Sequence, residues 1–336
     1  MAPQPAALKL TCNPAGPHFP ITEQCQMPAI TVTAELENAS PGASVTAQYE
    51  WLVTLEFHRH GCIHAPDRVL KHDDIRQTTT TNTLQIPFTQ IRGGSLTISV
   101  TANTASGRLT AATKGLFVTG TNPSVTALAA EAANNEAFRK LMRVESRLRQ
   151  FLAPTCPLFS SDGFGGVGLC QLTRPQPTPE QIWSWKENVK GGWALYKSKE
   201  AIAKAYPRQV RHSTRFKRLV KAYNDERKKR LMKMPKFVPP VHDLIIKLPD
   251  FTDRQLMLDT VRGFNGWAGG LHEYRVQTDR NGVLVVDENP LGLSGTAVWE
   301  RVTAADRIAY YNLHKIAANH RGDPNYVSDV MSKESF

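Results

Sequence analysis

The sequence predicts a chain of two parts, an antiparallel β-sandwich followed by a mainly helical domain. Three observations carry this expectation. The chain has 336 residues, about twice the usual size of one domain. From residue 29 to about 120, apolar residues alternate with period two, the signature of strands with one buried face. From residue 121 onward they recur at spacings of three and four, as on a helix face. With 41% hydrophobic and 21% charged residues, the composition suits an ordinary buried core. No apolar run approaches the ~20 residues that span a bilayer, so no transmembrane segment is expected.

The N-terminal stretch "MAPQPAALKLTCNPAGPHFP" has one lysine, and prolines interrupt the place where an export signal needs an unbroken apolar segment. No standard signal peptide is read there. In "SVTAQYEWLVTLEF" the odd positions Val45, Ala47, Tyr49, Trp51, Val53, Leu55 and Phe57 form one apolar face. The runs "AITVTAEL", "NTLQIPF", "GSLTISVTANT" and "RLTAATKGLFVTG" repeat the pattern between Gly, Asn, Ser and Pro turns. Residues 1–120 therefore read as an immunoglobulin-like sandwich, a docking or delivery module with too few convergent polar groups for an enzyme. Within it, "HRHGCIH" places His58, His60, Cys62 and His64 at alternating positions, a set zinc could use. Gly61 invites a turn there, and polar surface is the simpler reading, so no metal is expected. The five cysteines show no CxxC spacing; Cys12 and Cys25 could pair in an oxidising compartment, and the odd count leaves one thiol over.

"GTNPS" at 120–124 closes the sandwich, and residues 121–336 read as the second domain. A helix is expected over 135–149, with Phe138, Leu141, Met142 and Leu148 on its apolar face and Glu145 between Met142 and Leu148. A carboxyl held against apolar side chains loses solvation of its charged form and becomes a general acid usable near neutral pH. The simpler reading is an ion pair with Arg149 or Arg143. "SSDGFGGVGLCQL" breaks the helical pattern with glycines that suit a small β-hairpin. In "IWSWKENVKGGWALYKSK", Trp183, Trp185 and Trp193 read mainly as core.

The net charge of +11 is concentrated: residues 197–236 hold fifteen Lys/Arg against three Asp/Glu. A segment of this kind attracts polyanions, and nucleic acid, anionic lipid and acidic bacterial wall are all open to it. A nucleic-acid platform would interleave aromatics with the charge; "ERKKRLMKMPK" does not, so no nucleic-acid partner is expected.

Four motifs occur in a telling order: Glu145 with Ser146; "GGVGLCQLTRP" with Gly165, Gly168, Leu169 and Gln171; "WKENVKGG" with Asn188; and "VRGFNGWAGG" with Phe264 and Asn265. "DPNYVSDVM", with Tyr326 and Val327, closes the series. Over residues 123–336 this order resembles the soluble lytic transglycosylases, relatives of goose-type lysozyme. The resemblance implies a mainly α, lysozyme-like fold with a basic insertion near 197–258, able to lie along the anionic wall. It implies that Glu145 is the single catalytic acid/base and that Ser146 hydrogen-bonds near it. Gly165 and Gly168 would allow close backbone approach, with Leu169 and Gln171 on the cleft wall and Gln171 on the sugar. Asn188 and Asn265 would bind N-acetyl groups or hold the hairpin. Phe264 stands where the family usually has tyrosine, so Tyr274 or Tyr326 would have to supply that hydroxyl. Cys170 stands where methionine is common. "KAYNDE" at 221–226 matches the family's Ala-Tyr-Asn in letters but lacks the following glycines, and Asn265 is preferred to Asn224 on that ground.

The implied activity is cleavage of the β-1,4 bond between N-acetylmuramic acid and N-acetylglucosamine in peptidoglycan, without a cofactor. A hydrolytic muramidase would need a second carboxylate across the ring, for which Asp162 is the candidate; Asp162 is also an ordinary turn residue. A phage lysis enzyme and a non-catalytic glycan-binding protein stay open beside the transglycosylase. The compartment implied is the periplasm of a target bacterium, reached by delivery as an antibacterial type VI secretion effector. The partners would be a secretion component on the sandwich and a cognate immunity protein.

Overall fold

The computed structural model describes residues 6–38, 45–57, 62, 70–71, 74–104, 107–161, 164–235, 240–267 and 271–336. The chain divides into two compact units. The first comprises Met1–Asn135, Met142–Gly192 and Phe336; the second comprises Glu136–Leu141 and Trp193–Ser335.

Among the described residues, the first unit opens with ten strands: β1 (Ala7–Asn13), β2 (His18–Pro20), β3 (Thr31–Glu37), β4 (Val45–Phe57), β5 (Leu70–Lys71), β6 (Ile75–Thr79), β7 (Thr83–Gln85), β8 (Gly94–Thr104), β9 (Gly107–Ala112) and β10 (Leu116–Thr119). One sheet has the order β1-β3-β7. The other runs β2-β10-β8-β4-β5, with β6 paired to β4 and β9 to β8. Pairing is antiparallel except between β2 and β10. Alternation has the expected consequence in β4, where Tyr49, Trp51, Val53, Leu55 and Phe57 are buried while Glu50 is exposed. Opposite it on β8, Leu96, Ile98, Val100 and Ala102 face the same core. Val32 and Leu84 bring the smaller sheet into that core.

The strand-rich part is followed by helix. Ser124 caps α1 (Val125–Glu131) by accepting from the Ala127 amide at 3.1 Å. Next come α2 (Glu136–Ser146) and the short hairpin β11 (Phe151–Ala153) and β12 (Cys156–Pro157), then α3 (Pro179–Trp183) and α4 (Trp185–His212). The core of the sheets does not end at β10. Phe151, Cys156, Phe159, Val167, Ile182 and Trp183 belong to it. The Trp183 ring meets Phe57 edge-on at 5.5 Å, and the Trp185 indole donates to the Glu23 carbonyl at 2.8 Å. A Cβ on Gly93 would lie 2.1 Å from the Trp183 ring, and one on Gly120 would lie 2.2 Å from Phe151. Burying each of these aromatics stabilises the unit by about 2–3 kcal/mol. Trp183 and Trp185 are thus core residues.

The cysteines differ from the expectation. Cys12 and Cys25 are both free; Cys62 is joined to Cys156, 94 residues along the chain. Residue spacing favoured the nearby pair, whereas the fold brings Cys62, which follows β4, against Cys156 of the β11–β12 hairpin. Cys62 is thereby taken from the proposed histidine set, and His58, His60 and His64 lie outside the described residues.

The second unit holds the rest of α4, then α5 (Thr214–Met232), β13 (Ile245–Lys247), α6 (Asp253–Phe264), β14 (Tyr274–Val276), β15 (Val286–Glu288), β16 (Ser294–Ala297), β17 (Trp299–Arg301), α7 (Ala304–Leu313) and α8 (Tyr326–Met331). The small sheets β13-β16-β15 and β14-β17 were not read from the sequence. Their strands have three or four residues, too few for alternation to register. Among the described residues, no helix is long and apolar enough to cross a membrane.

Candidate functional site

In the first unit, α2 ends earlier than its periodicity predicts. It stops at Ser146, and Arg147 and Leu148 both take left-handed backbone, with φ of 54° and 61°. Phe138, Leu141 and Met142 are fully buried as expected, but Leu148 leaves the helix and does not continue their face. Glu145 is half-buried on the last turn. The Ser146 hydroxyl is buried and donates to the Met142 carbonyl at 3.0 Å, one turn back on its own helix.

The glycine-rich segment folds into a tight structure held by single bridges, Phe159 with Val167 and Val167 with Leu172. Gly165 and Gly168 have φ of +74° and +72°, and Gln171 has +47°. Two buried amides grip it. The Asn188 side chain, on α4, accepts from the Cys170 amide at 2.9 Å and donates to the carbonyls of Val167 and Gln181 at 3.0 and 3.1 Å. Gln150 accepts from the Leu169 amide at 3.1 Å and donates to Ile182 and Gln181 at 2.9 and 3.2 Å. A Cβ on Gly168 would lie 2.3 Å from Gln150 and 2.6 Å from Asn188, so the grip requires glycine there. Both amides are fully buried, which makes Asn188 a clamp on the hairpin rather than a sugar ligand. Sequence reading missed Gln150, because one glutamine before a strand carries no signal of its partners.

The hairpin turns different side chains inward and outward. Leu169 and Cys170 are fully buried. Burial pushes the Cys170 thiol well up, and the negative charge of Glu145 pushes it further. Electrostatically, then, the helix-end carboxyl and the hairpin are neighbours. Gln171 is half-buried, its side-chain nitrogen donating to the Gly168 carbonyl at 2.8 Å. Phe164 holds an exposed ring beside Gly165, a surface that the sequence reading did not single out. Asp162 lies outside the described residues.

Phe264, Asn265 and Tyr326 belong to the second unit. Asn265 is the C-cap of α6 and accepts from Arg262 at 3.5 Å. Phe264 is half-buried; Tyr274 and Tyr326 are buried. Asn224 is a second buried clamp, donating to the Leu244 carbonyl at 3.2 Å and accepting from the Leu244 amide at 2.8 Å. This gives the competing Tyr-Asn pair a structural occupation.

The same unit contains a polar cluster that no motif announced. Asp259 accepts from the Glu273 amide at 2.7 Å and meets the His272 ring nitrogen at 2.8 Å. The His272 ring is stacked on Tyr206 at 3.6 Å and on Trp267 at 4.2 Å. A Cβ on Gly263 would lie 2.3 Å from the Trp267 ring. Buried Glu273 is paired with Arg301 at 2.5 Å and with Arg307, which is itself buried. Among the described residues no group of His, Cys, Asp and Glu is placed to hold a metal ion.

Compared with protein-family models, with curated proteins and with solved structures, the chain matches none.

Proposed function

We propose that the chain cleaves peptidoglycan glycan strands by lytic transglycosylation, with Glu145 as its one acid and base. The observation that carries the reading is the pairing of a helix-end carboxyl with a glycine-rich hairpin fixed by two buried amides. Such a wall is rigid, and its glycines leave room for close backbone approach. In the proposed reaction the Glu145 carboxyl gives its proton to the glycosidic oxygen as the C1–O bond breaks. The carboxylate then takes the proton of the muramic acid 6-hydroxyl as the O6–C1 bond forms, and the product is a 1,6-anhydro sugar. One carboxyl suffices because water does not have to be activated across the ring.

Within this reading, the N-terminal β-rich region is an immunoglobulin-like sandwich and the helical region a lysozyme-like domain. Action outside the cytoplasm agrees with the Cys62–Cys156 disulfide, since such bonds persist in oxidising compartments. Delivery as an antibacterial effector, with an immunity protein in the producer, is part of the same proposal. The test is digestion of purified peptidoglycan by the wild type and by Glu145→Gln, with mass spectrometry of the fragments. The expected result is fragments with anhydro ends, each lighter by one water than its hydrolytic counterpart, from the wild type alone. Reducing ends would make the protein a hydrolytic muramidase, and release by neither protein would leave a glycan-binding module.

A further inference from the structure

The corner between α4 and α5 encloses a pocket of about 280 Å³ that none of the motifs uses. Its size sits at the lower end of small-ligand sites, roughly 300–1,000 Å³, so it suits a fragment rather than a disaccharide. Val210, Phe216, Leu219 and Val276 give it apolar walls. The polar side chains around them are Tyr206, Gln209, Ser213 and two arginines, Arg215 and Arg275. Arg275 closes one side, its guanidinium already held by Glu300 at 2.7 Å and Asp306 at 3.2 Å. Arg215 is exposed and has no acidic partner among the described residues, and the same is true of Lys204, Arg208, Lys217 and Arg218 on the same two helices.

Other cations of the segment are neutralised: Lys197 by Glu200, Lys221 by Asp225 at 2.7 Å, and Arg211 by Asp250 at 2.9 Å. Of the two cations that line the pocket, Arg275 is thus paired and Arg215 keeps an unpaired positive charge beside the apolar walls. A ligand complementary to both features carries an anion and a short aliphatic group. Bidentate guanidinium donors fit a planar carboxylate.

We propose that this pocket binds the free C-terminal carboxylate of a short aliphatic peptide, with the carboxylate on Arg215 and the aliphatic side chain between Val210, Phe216, Leu219 and Val276. Tyr206, which lines the pocket, supports the assignment. Burial first, and the Asp259 charge second, push its hydroxyl up to about 12, while Arg215 is close enough to pull it down. The hydroxyl is thus a donor at any ordinary pH. In the cell wall, the peptide stems have this chemistry, an identification that rests on the peptidoglycan reading.

The experiment is calorimetric titration of the full chain with N-acetyl-D-alanyl-D-alanine, with its C-terminal amide, and with inorganic phosphate. The carboxylate form is expected to bind, with the amide weaker by about tenfold or more; Arg215→Gln, an exposed position, is expected to lose a similar factor, ~1.4 kcal/mol. Equal binding of acid and amide, phosphate binding as tight as the peptide, or an Arg215→Gln variant that binds like the wild type would overturn the proposal. Muropeptide release without peptide binding would remove the pocket assignment alone. Peptide binding without release would keep it and remove the cleavage reading.

Discussion

Gly168→Ala and Gly165→Ala form a matched pair with very different expected costs. Both positions have left-handed backbone, which costs an L-residue about 1–2 kcal/mol. At Gly165 nothing among the described residues lies within 4 Å of the new Cβ, so that strain is the expected effect. At Gly168 the Cβ falls 2.3 Å from Gln150 and 2.6 Å from Asn188, and both amides must withdraw. Their withdrawal leaves the buried Leu169 and Cys170 amides without acceptors. Each unmet buried donor costs about 1–3 kcal/mol, giving a total of about 3–8 kcal/mol for Gly168→Ala. Urea denaturation followed by tryptophan fluorescence measures the difference, and amide hydrogen exchange at Leu169 and Cys170 locates it. Equal costs for the two substitutions, or undiminished protection of those two amides in Gly168→Ala, would refute the clamp.

Three other outcomes are expected. Removing the Cys62–Cys156 bond, by reduction or by serine at both positions, should cost about 4–5 kcal/mol through the entropy of a 94-residue loop, read as a lower melting temperature that reductant no longer changes in the double variant. Asn224→Ala leaves both buried backbone groups of Leu244 unmet and should destabilise the second unit by about 2–6 kcal/mol in denaturant titration, without the exchange changes expected at Leu169 and Cys170. The Glu288 carboxyl is held below the usual range by its Tyr223 hydrogen bond first, and then by Arg227 and Arg230. A carboxyl depressed in the folded state contributes stability that is full above its unfolded pKa, about 4.3, and is lost as pH falls through the folded value. Tyr223→Phe should therefore lower stability at neutral pH and flatten its fall below about pH 4, a difference that denaturant titration at several pH values would reveal.

The sequence was informative where one physical constraint repeats. In β4 and β8 every second residue must meet the core, and both strands were legible from alternation alone. Helical spacing located α2, whereas its end depended on two non-glycine residues entering left-handed backbone, for which composition gives no warning. The clamps on the hairpin were only half legible: Asn188 lies in a motif, while Gln150 acquires its role from partners 19 to 32 residues away. The disulfide was misread for the same reason, since cysteine spacing says nothing of which strand ends against which hairpin. The Asp259–His272 pair is likewise a product of folding, its two members 13 residues apart with nothing in their spacing to join them.

The shared core of the first unit bears on how such a chain could have been assembled in evolution. A module that is exchanged freely between proteins closes its own interior, and a gene fusion can then cut at its edge. Here the sheets close on Phe151, Phe159, Ile182 and Trp183, and their disulfide partner is Cys156. A recombination point near residue 121 would deliver sheets with an open interior and an unpaired Cys62. The strand-rich region and the hairpin beside Glu145 must therefore be inherited together, and an exchange that preserves folding would have to carry residues through at least Trp183.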